Sequence, residues 1–338
     1  MRSALHASLP GLAVVTVITV AAYRIAELPA LQAVSLSPIA VGIVLGIVFG
    51  NAAPNAWRLR VEPGVIFGTK TLLKAAIVFY GFRITFLQIF EVGWRGLVID
   101  ILIVGLTMLL GLAFGTKFLR MDWRSAVLTS AGSSICGAAA VVATEPIVRA
   151  ESHQTTAAVG TVVVFGTLSM FLYPVVFHSG LVPLSEEAFG IYIGATIHGV
   201  SHVVGAAGTI SDAVCDNAMI TKMTRVMLLA PFLIALSVFT RSRDGQPPLK
   251  RQKITIPWFA LGFIAVAGFN SFAILPTEAV EYINTVDTFV LGMSMTALGM
   301  NTVLAKLRGM AMKSLYLAAV LFLWLVMGGY GLTLLFVS

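Results

Sequence analysis

Charge is scarce in this 338-residue chain: 11% of its residues are Asp, Glu, Lys or Arg, against about a quarter in an ordinary soluble domain. Only two cysteines occur, Cys136 and Cys215, which excludes a disulfide framework and a cysteine-built metal cluster. The sequence also lacks a glycine-rich phosphate loop, zinc-ligand spacing and an appended soluble domain, so no cofactor and no metal are expected. Long polar stretches are missing too; the most extended is "RSRDGQPPLKRQK", residues 241–253. What fills the chain is hydrophobic side chain, 58% of residues, with a mean hydropathy of +0.94.

A bilayer span takes roughly 20 apolar residues. About eleven such stretches occur, at 9–27, 37–53, 71–90, 95–116, 124–150, 153–178, 187–209, 213–240, 257–275, 284–305 and 312–336. Lipid offers no hydrogen bonds to a backbone, so continuous runs of this length read as α-helices, whereas a barrel would show short alternating segments. The expected fold is an all-α polytopic membrane protein, one integral domain over 1–338. The stretch from Leu9 to Tyr23 is read as a retained first span and not as a cleaved signal.

The net charge of +7 does not call for nucleic acid, because the basic residues sit in the short connections. They cluster at Arg58 and Arg60, at Lys117, Arg120 and Arg124, within 241–253, and at Lys306, Arg308 and Lys313. If all eleven segments cross, every cluster falls on one side, which puts the N-terminus in the cytoplasm and the C-terminus in the periplasm. One connection disagrees: "SGLVPLSEEA", 179–188, should be cytoplasmic yet has no basic residue.

Two segments are rich in small residues. In "TSAGSSICGAAAVVATEP", 129–146, Gly132, Ser133, Ser134, Cys136 and Gly137 are poor helix formers grouped within six positions. Close helix packing would use such residues; so would a helix that breaks at membrane depth to expose backbone to a ligand. A second stretch favours the break. "ATIHGVSHVVG", 195–205, aligns without gaps to "SSICGAAAVVA", 133–143, with four identities in eleven. His198 and His202 then stand where Cys136 and Ala140 do. A separate pair, "IVFYGFRIT" and "MTALGMNTV", matches Gly81 with Gly299 and hints at an inverted repeat.

Ionisable residues inside apolar runs need a partner or a role, since a charge at the bilayer centre costs roughly 2.5–3.5 kcal/mol on insertion scales. Arg83 reads as deep in the third segment. Lys222 and Arg225 stand three apart on one helical face, and an anionic neighbour explains such a pair unless both snorkel to the headgroups. Lys70 and Lys74 read as snorkelling anchors, Asp100 and Asp287 as rim residues, and Glu145 with Arg149 as a local i, i+4 ion pair ahead of which Pro146 kinks or ends the helix. His198 and His202, one turn apart, suit proton-linked or hydrogen-bonding roles better than metal.

"GSSICGAAAVVATEP", "FGTLSMFLYPVVF", "FGIYIGATIH" and "TKMTRVMLLAPFLIALS" together resemble the YeiH-like family of bacterial inner-membrane proteins, which carries the label of sulfate exporters. The resemblance runs over 36–338. It implies a secondary transporter with ten or eleven spans and a broken-helix core of the sodium/proton-antiporter kind. Sulfate is that family's label; sulfite or a sulfonate fits the residues equally. The chain departs from the family's pattern at Gly199 and His202, where the family has an acidic residue and a glutamine, so His202 is expected to take over coupling.

The expected function is alternating-access transport of a small anion. Ser133, Ser134, Cys136, Gly137, Thr196 and His198 would line the substrate site, and Arg225, Lys222 and Arg83 would supply charge. His198 and His202 are the coupling candidates. A passive anion channel would use the same lining, and a sodium/proton-type antiporter would use the same breaks, though mid-span cations count against it. An enzyme is not expected, because nothing completes a catalytic set around Cys136 or Ser134. The partners are the anion and the lipid bilayer; small-residue faces also suit a homodimer.

Overall fold

Apolar side chains on a backbone that must satisfy its own hydrogen bonds give helices throughout. The computed structural model describes residues 2–28, 38–244, 258–302 and 312–337, and no strand occurs among them. In order the helices are α1 Arg2–Ala26, α2 Pro38–Ala52, α3 Asn55–Phe67 and α4 Leu73–Tyr80, the last two joined by a π-turn at Gly68–Leu72. A 3₁₀ turn, Gly81–Arg83, leads to α5 Phe86–Ala113, which ends in a second π-turn at Phe114–Phe118. Then come α6 Trp123–Ser134, α7 Ala138–Val148, α8 Ser152–His178, α9 Glu186–Thr196 and α10 Val200–Ala207. The remainder are α11 Asp212–Met227, α12 Leu229–Asp244, α13 Trp258–Ser271, α14 Thr277–Asn301 and α15 Met312–Val337.

Local chemistry sets several starts. Asp122 caps α6 by accepting from the Arg124 amide at 3.1 Å, and Ser185 caps α9 by accepting from the Ala188 amide at 3.2 Å. Glu151 and Gln154 form a capping box on α8, and Pro54 and Pro276 precede α3 and α14. Pro231, lacking an N–H, follows the one-residue interruption at Leu228 that separates α11 from α12.

Six described segments are long and apolar enough to cross a bilayer: Ala7–Ala26, Ala56–Arg83, Phe86–Phe118, His153–His178, Asp212–Thr240 and Met312–Val337. The eleven expected from hydropathy are therefore met only in part. Segments 124–150 and 187–209 are each interrupted, so neither forms one long helix. The described parts of 37–53 and 257–275 give helices of 15 and 14 residues. Residues 284–301 of segment 284–305 lie in α14, which carries Glu278, Glu281 and Asp287, and residues 303–305 lie outside the described residues. Of the loop 241–253, residues 245–253 lie outside the described residues, as do Lys306 and Arg308.

The chain forms two compact units. The first holds α1–α4, α13 and α14. Its α2 repeats glycine every fourth residue, Gly42, Gly46 and Gly50, and this face lies backbone to backbone on α14: a Cβ on Gly46 would stand 2.3 Å from the Thr296 carbonyl oxygen. Val15, Ile18, Val61, Val65, Ala297 and Met300 fill its core. The second unit holds most of α5, then α6–α12 and α15. There α15 packs through Leu317 and Leu321 on Met121 and Ala126, and through Ala318 and Phe322 on Phe165.

Candidate functional site

Both small-residue segments break, and at the same register. In the alignment of 133–143 with 195–205, Ser134 matches Thr196 and Ala138 matches Val200; these pairs are the last and first residues of the flanking helices. Gly137 has φ 74°, a conformation that side chains with a Cβ rarely adopt, so glycine is required at the first break. At the second, Ile197 is extended, with φ −71° and ψ 140°. The junctions touch: a Cβ on Gly137 would lie 3.6 Å from both the nitrogen and the Cα of Gly199.

Helix α11 presents its cations to both breaks. Glycines 190 and 194 allow α9 to lie directly on α11, where a Cβ on Gly194 would stand 2.5 Å from the Ala218 carbonyl oxygen and 3.2 Å from the Lys222 nitrogen. Lys222 and Arg225 are 0% exposed, which excludes snorkelling. Lys222 Nζ donates to the carbonyls of Ile135 at 2.9 Å and Ile197 at 2.6 Å, two residues matched in the alignment. Arg225 repeats the pattern: Nη2 donates to Ser133 at 3.1 Å and Nη1 to Ala195 at 2.5 Å, again matched positions. It also donates through Nε to Ser134 at 2.6 Å and through Nη1 to Ile197 at 3.5 Å.

The physical logic is that the last carbonyls of a helix lack intrahelical partners and carry partial negative charge, roughly half an electron per terminus. Two buried cations satisfy both ends at once. Four hydrogen bonds use four of the five guanidinium hydrogens and two use two of the three ammonium hydrogens, so each cation keeps one donor. The break backbones are thus held from the carbonyl side.

A carboxylate completes the set. Asp100, in the middle of α5, is 0% exposed and accepts from Thr224 Oγ1 at 2.8 Å. It interacts electrostatically with Arg225 and, less strongly, with Lys222. The expected rim position is thereby corrected: α5 starts at Phe86, nine residues before the hydropathic run was taken to begin, so Asp100 lies a full four turns inside the helix by the usual pitch of about 3.6 residues. Counted at formal charge, two cations against one carboxylate give the buried centre one positive charge in excess.

Around it, polar atoms lack partners. Among the described residues, Ser133 Oγ and both ring nitrogens of His198 and of His202 are buried without a hydrogen bond, as are Thr129 Oγ1 and Thr144 Oγ1. Each such group costs about 1–3 kcal/mol if left unpaired. The His202 ring occupies space left by Gly166, where a Cβ would stand 2.7 Å from its Nδ1. Thr196 is engaged: its hydroxyl donates to the Tyr192 carbonyl at 2.5 Å and accepts from Tyr173 Oη at 2.8 Å. Ser134 Oγ reaches only its own helix, at Ala131 O, 3.4 Å away. Cys136 is buried and interacts electrostatically with Lys222 and Arg225.

Of the residues expected from sequence, Ser133, Ser134, Cys136, Gly137, Thr196, His198, His202, Lys222 and Arg225 all belong to the second unit, at or within about a turn of the breaks or on α11. Arg83 belongs to the first. It closes the span Ala56–Arg83 instead of lying deep within one, and its partners are Asn284 and Thr288. Glu145 and Arg149 form no ion pair among the described residues; Arg149 adopts a left-handed C-cap at φ 53°, three residues after Pro146 in the last turn of α7. Lys74 sits over the Phe259 ring, 5.9 Å from its centroid. Asp100, Thr224 and Tyr173 are the site residues that sequence reasoning did not select.

Fold and site together define a multi-pass helical membrane protein built around two interrupted helices pinned by buried cations. The family described as "Conserved hypothetical protein 698" matches residues 10–318, and the chain belongs to it. It is 46% identical to the UPF0324 inner membrane protein YeiH of Escherichia coli K12 over 322 residues, 95% of this chain and 92% of that one. A UPF0324 membrane protein of Bacteroides thetaiotaomicron is 43% identical over 95% of this chain and 96% of its own length. Another, from Bordetella pertussis, is 44% identical over 96% and 94%. No solved structure matches. Apolar helices and an inner-membrane relative of nearly full coverage make this an inner-membrane protein.

Proposed function

We propose that the protein is a secondary transporter, not an enzyme, that moves a small oxyanion of the sulfate, sulfite or sulfonate class by alternating access. The observation that carries this reading is a fully buried centre with a formal excess of positive charge: Lys222 and Arg225 against Asp100. An anion bound at the breaks neutralises that excess. The spare donors of Lys222 and Arg225, the hydroxyl of Ser133 and the imidazoles of His198 and His202 are the groups an oxyanion with three or four oxygens would engage. The amides that begin α7 and α10 add partial positive charge. Ser134, Cys136, Gly137 and Thr196 shape the junction around it, and the two histidines carry any proton that moves with the anion. Eleven crossings with a cytoplasmic N-terminus, and a homodimer, complete the proposal.

The test is counterflow of labelled sulfate into proteoliposomes preloaded with unlabelled sulfate, sulfite, taurine or chloride. A carrier gives transient accumulation that depends on the preload and is lost in Arg225→Ala protein that still elutes as a single species. Equilibration independent of preload identifies a channel, and transport by Arg225→Ala equal to wild type removes the anion-site assignment.

A further inference from the structure

The first unit has a polar centre of its own. Asp287, on α14, is 3% exposed, takes part in no hydrogen bond or ion pair among the described residues, and its Oδ2 is fully enclosed. Arg83 lies beside it and interacts with it electrostatically. Yet the guanidinium is turned to other acceptors: Nη2 donates to the Asn284 carbonyl at 2.9 Å and to Thr288 Oγ1. Among the described residues its Nε has no acceptor, and Asn284 Oδ1 has no donor. The guanidinium also lies over the Tyr80 ring, 4.9 Å from its centroid, and Tyr23 Oη donates to the Thr288 carbonyl at 3.3 Å. An enclosed carboxylate oxygen and an enclosed N–H of opposite charge, on interacting residues, remain unpaired with each other.

We infer that Asp287 and Arg83 form a proton-binding site: Asp287 binds a proton while Arg83 rests on Asn284 and Thr288, and on losing it the carboxylate takes Arg83 as its partner. An ionised carboxylate enclosed without a partner is costly, and either a proton or a guanidinium removes that cost. The two arrangements exchange by a side-chain rotation, because residues 284, 287 and 288 share one face of α14. Access is provided by Arg83 and Asn284, both half-buried, one turn from the exposed Glu281 and Tyr282. A sodium ion is disfavoured at the same oxygens by the adjacent guanidinium.

The ionisable groups that face this centre are few. Arg83 comes from the 3₁₀ turn, Tyr80 from α4 and Tyr23 from α1; α2, the other helix along α14, has no titratable residue. Lys70 and the charged residues of α3 belong to the opposite end of α14, where Val61 and Val65 meet Ala297 and Met300. Lys74 is directed to Phe259.

The inference does not rest on the transporter reading, and infrared spectroscopy of the purified protein tests it without a substrate. Between acidic and alkaline buffer, the wild-type difference spectrum should contain a carboxylic-acid C=O band that disappears as pH rises, is absent in Asp287→Asn, and returns at a shifted frequency in Asp287→Glu. Arg83→Gln should displace the midpoint of that titration to higher pH, because loss of the cation favours the protonated form. A difference spectrum unchanged by Asp287→Asn, or a midpoint indifferent to Arg83→Gln, overturns it. Should Asp287→Asn not fold, the Arg83→Gln midpoint and the Asp287→Glu frequency decide the matter.

Discussion

At the scale of single residues the argument turns on Asp100. Lys222 and Arg225 are each spoken for by helix-end carbonyls, so they set the charge of the centre while leaving few donors of their own. Asp100 trims that charge. Asp100→Asn keeps an acceptor for Thr224 Oγ1 and changes little in volume, while the buried excess rises from one positive charge to two. The expected outcome is a shift in competition toward divalent anions: sulfate should gain over chloride on the order of tenfold, equivalent to about 1.4 kcal/mol. Competition in counterflow measures this. A selectivity ratio equal to wild type would show that Asp100 does not share the electrostatic field of the bound anion.

At the scale of elements, the two breaks were legible because small, poorly helix-forming residues stood at matched positions inside apolar runs, and their register in the structure is the register of that alignment. Asp100 and Arg83 were misjudged for one shared reason, the boundary between α4 and α5. "TFLQ", residues 85–88, has the form of a capping box, and in the structure the Thr85 amide donates to Gln88 Oε1 at 2.9 Å while the Gln88 amide donates to Thr85 Oγ1 at 3.4 Å. That signature ends one helix at Arg83 and starts the next at Phe86, but hydropathy alone ran across it. The cations on α11 could be selected, yet their acceptors could not, because backbone carbonyls leave no mark in a sequence. The α9–α11 contact that aims them predicts a further outcome. Gly194→Ala forces a Cβ against the α11 backbone and should cost about 1–3 kcal/mol, read as a lower temperature of aggregation in detergent. Gly105→Ala, where no atom lies within 4 Å of the added Cβ, should be neutral or mildly stabilising, since alanine is the better helix former. Equal behaviour of the two variants would deny that close packing of α9 on α11 holds the centre.

At the scale of the whole molecule, the open question of direction is decided by the connection 179–188, the one loop whose charge disagrees with eleven crossings. If both interrupted segments traverse the membrane, the loop is cytoplasmic despite its two glutamates and lack of basic residues. Its amino acids do not oppose that placement strongly, because acidic residues contribute little to the positive-inside bias. The protein is suited to the measurement, since both native cysteines, Cys136 and Cys215, are buried and offer a membrane-impermeant maleimide little to react with. Leu181, 78% exposed, is a suitable site for a reporter thiol, with exposed Lys117 and Glu281 as references for the two faces. In intact cells stripped of the outer membrane, Glu281→Cys should label, while Lys117→Cys and Leu181→Cys should label only after the inner membrane is opened. Labelling of Leu181→Cys from outside, with both references unchanged, would mean that each interrupted segment, 124–150 and 187–209, returns to the face it entered. The pinning of matched carbonyls by Lys222 and Arg225 survives either result, because it depends on the junctions meeting at α11 and not on the direction in which each chain passes through.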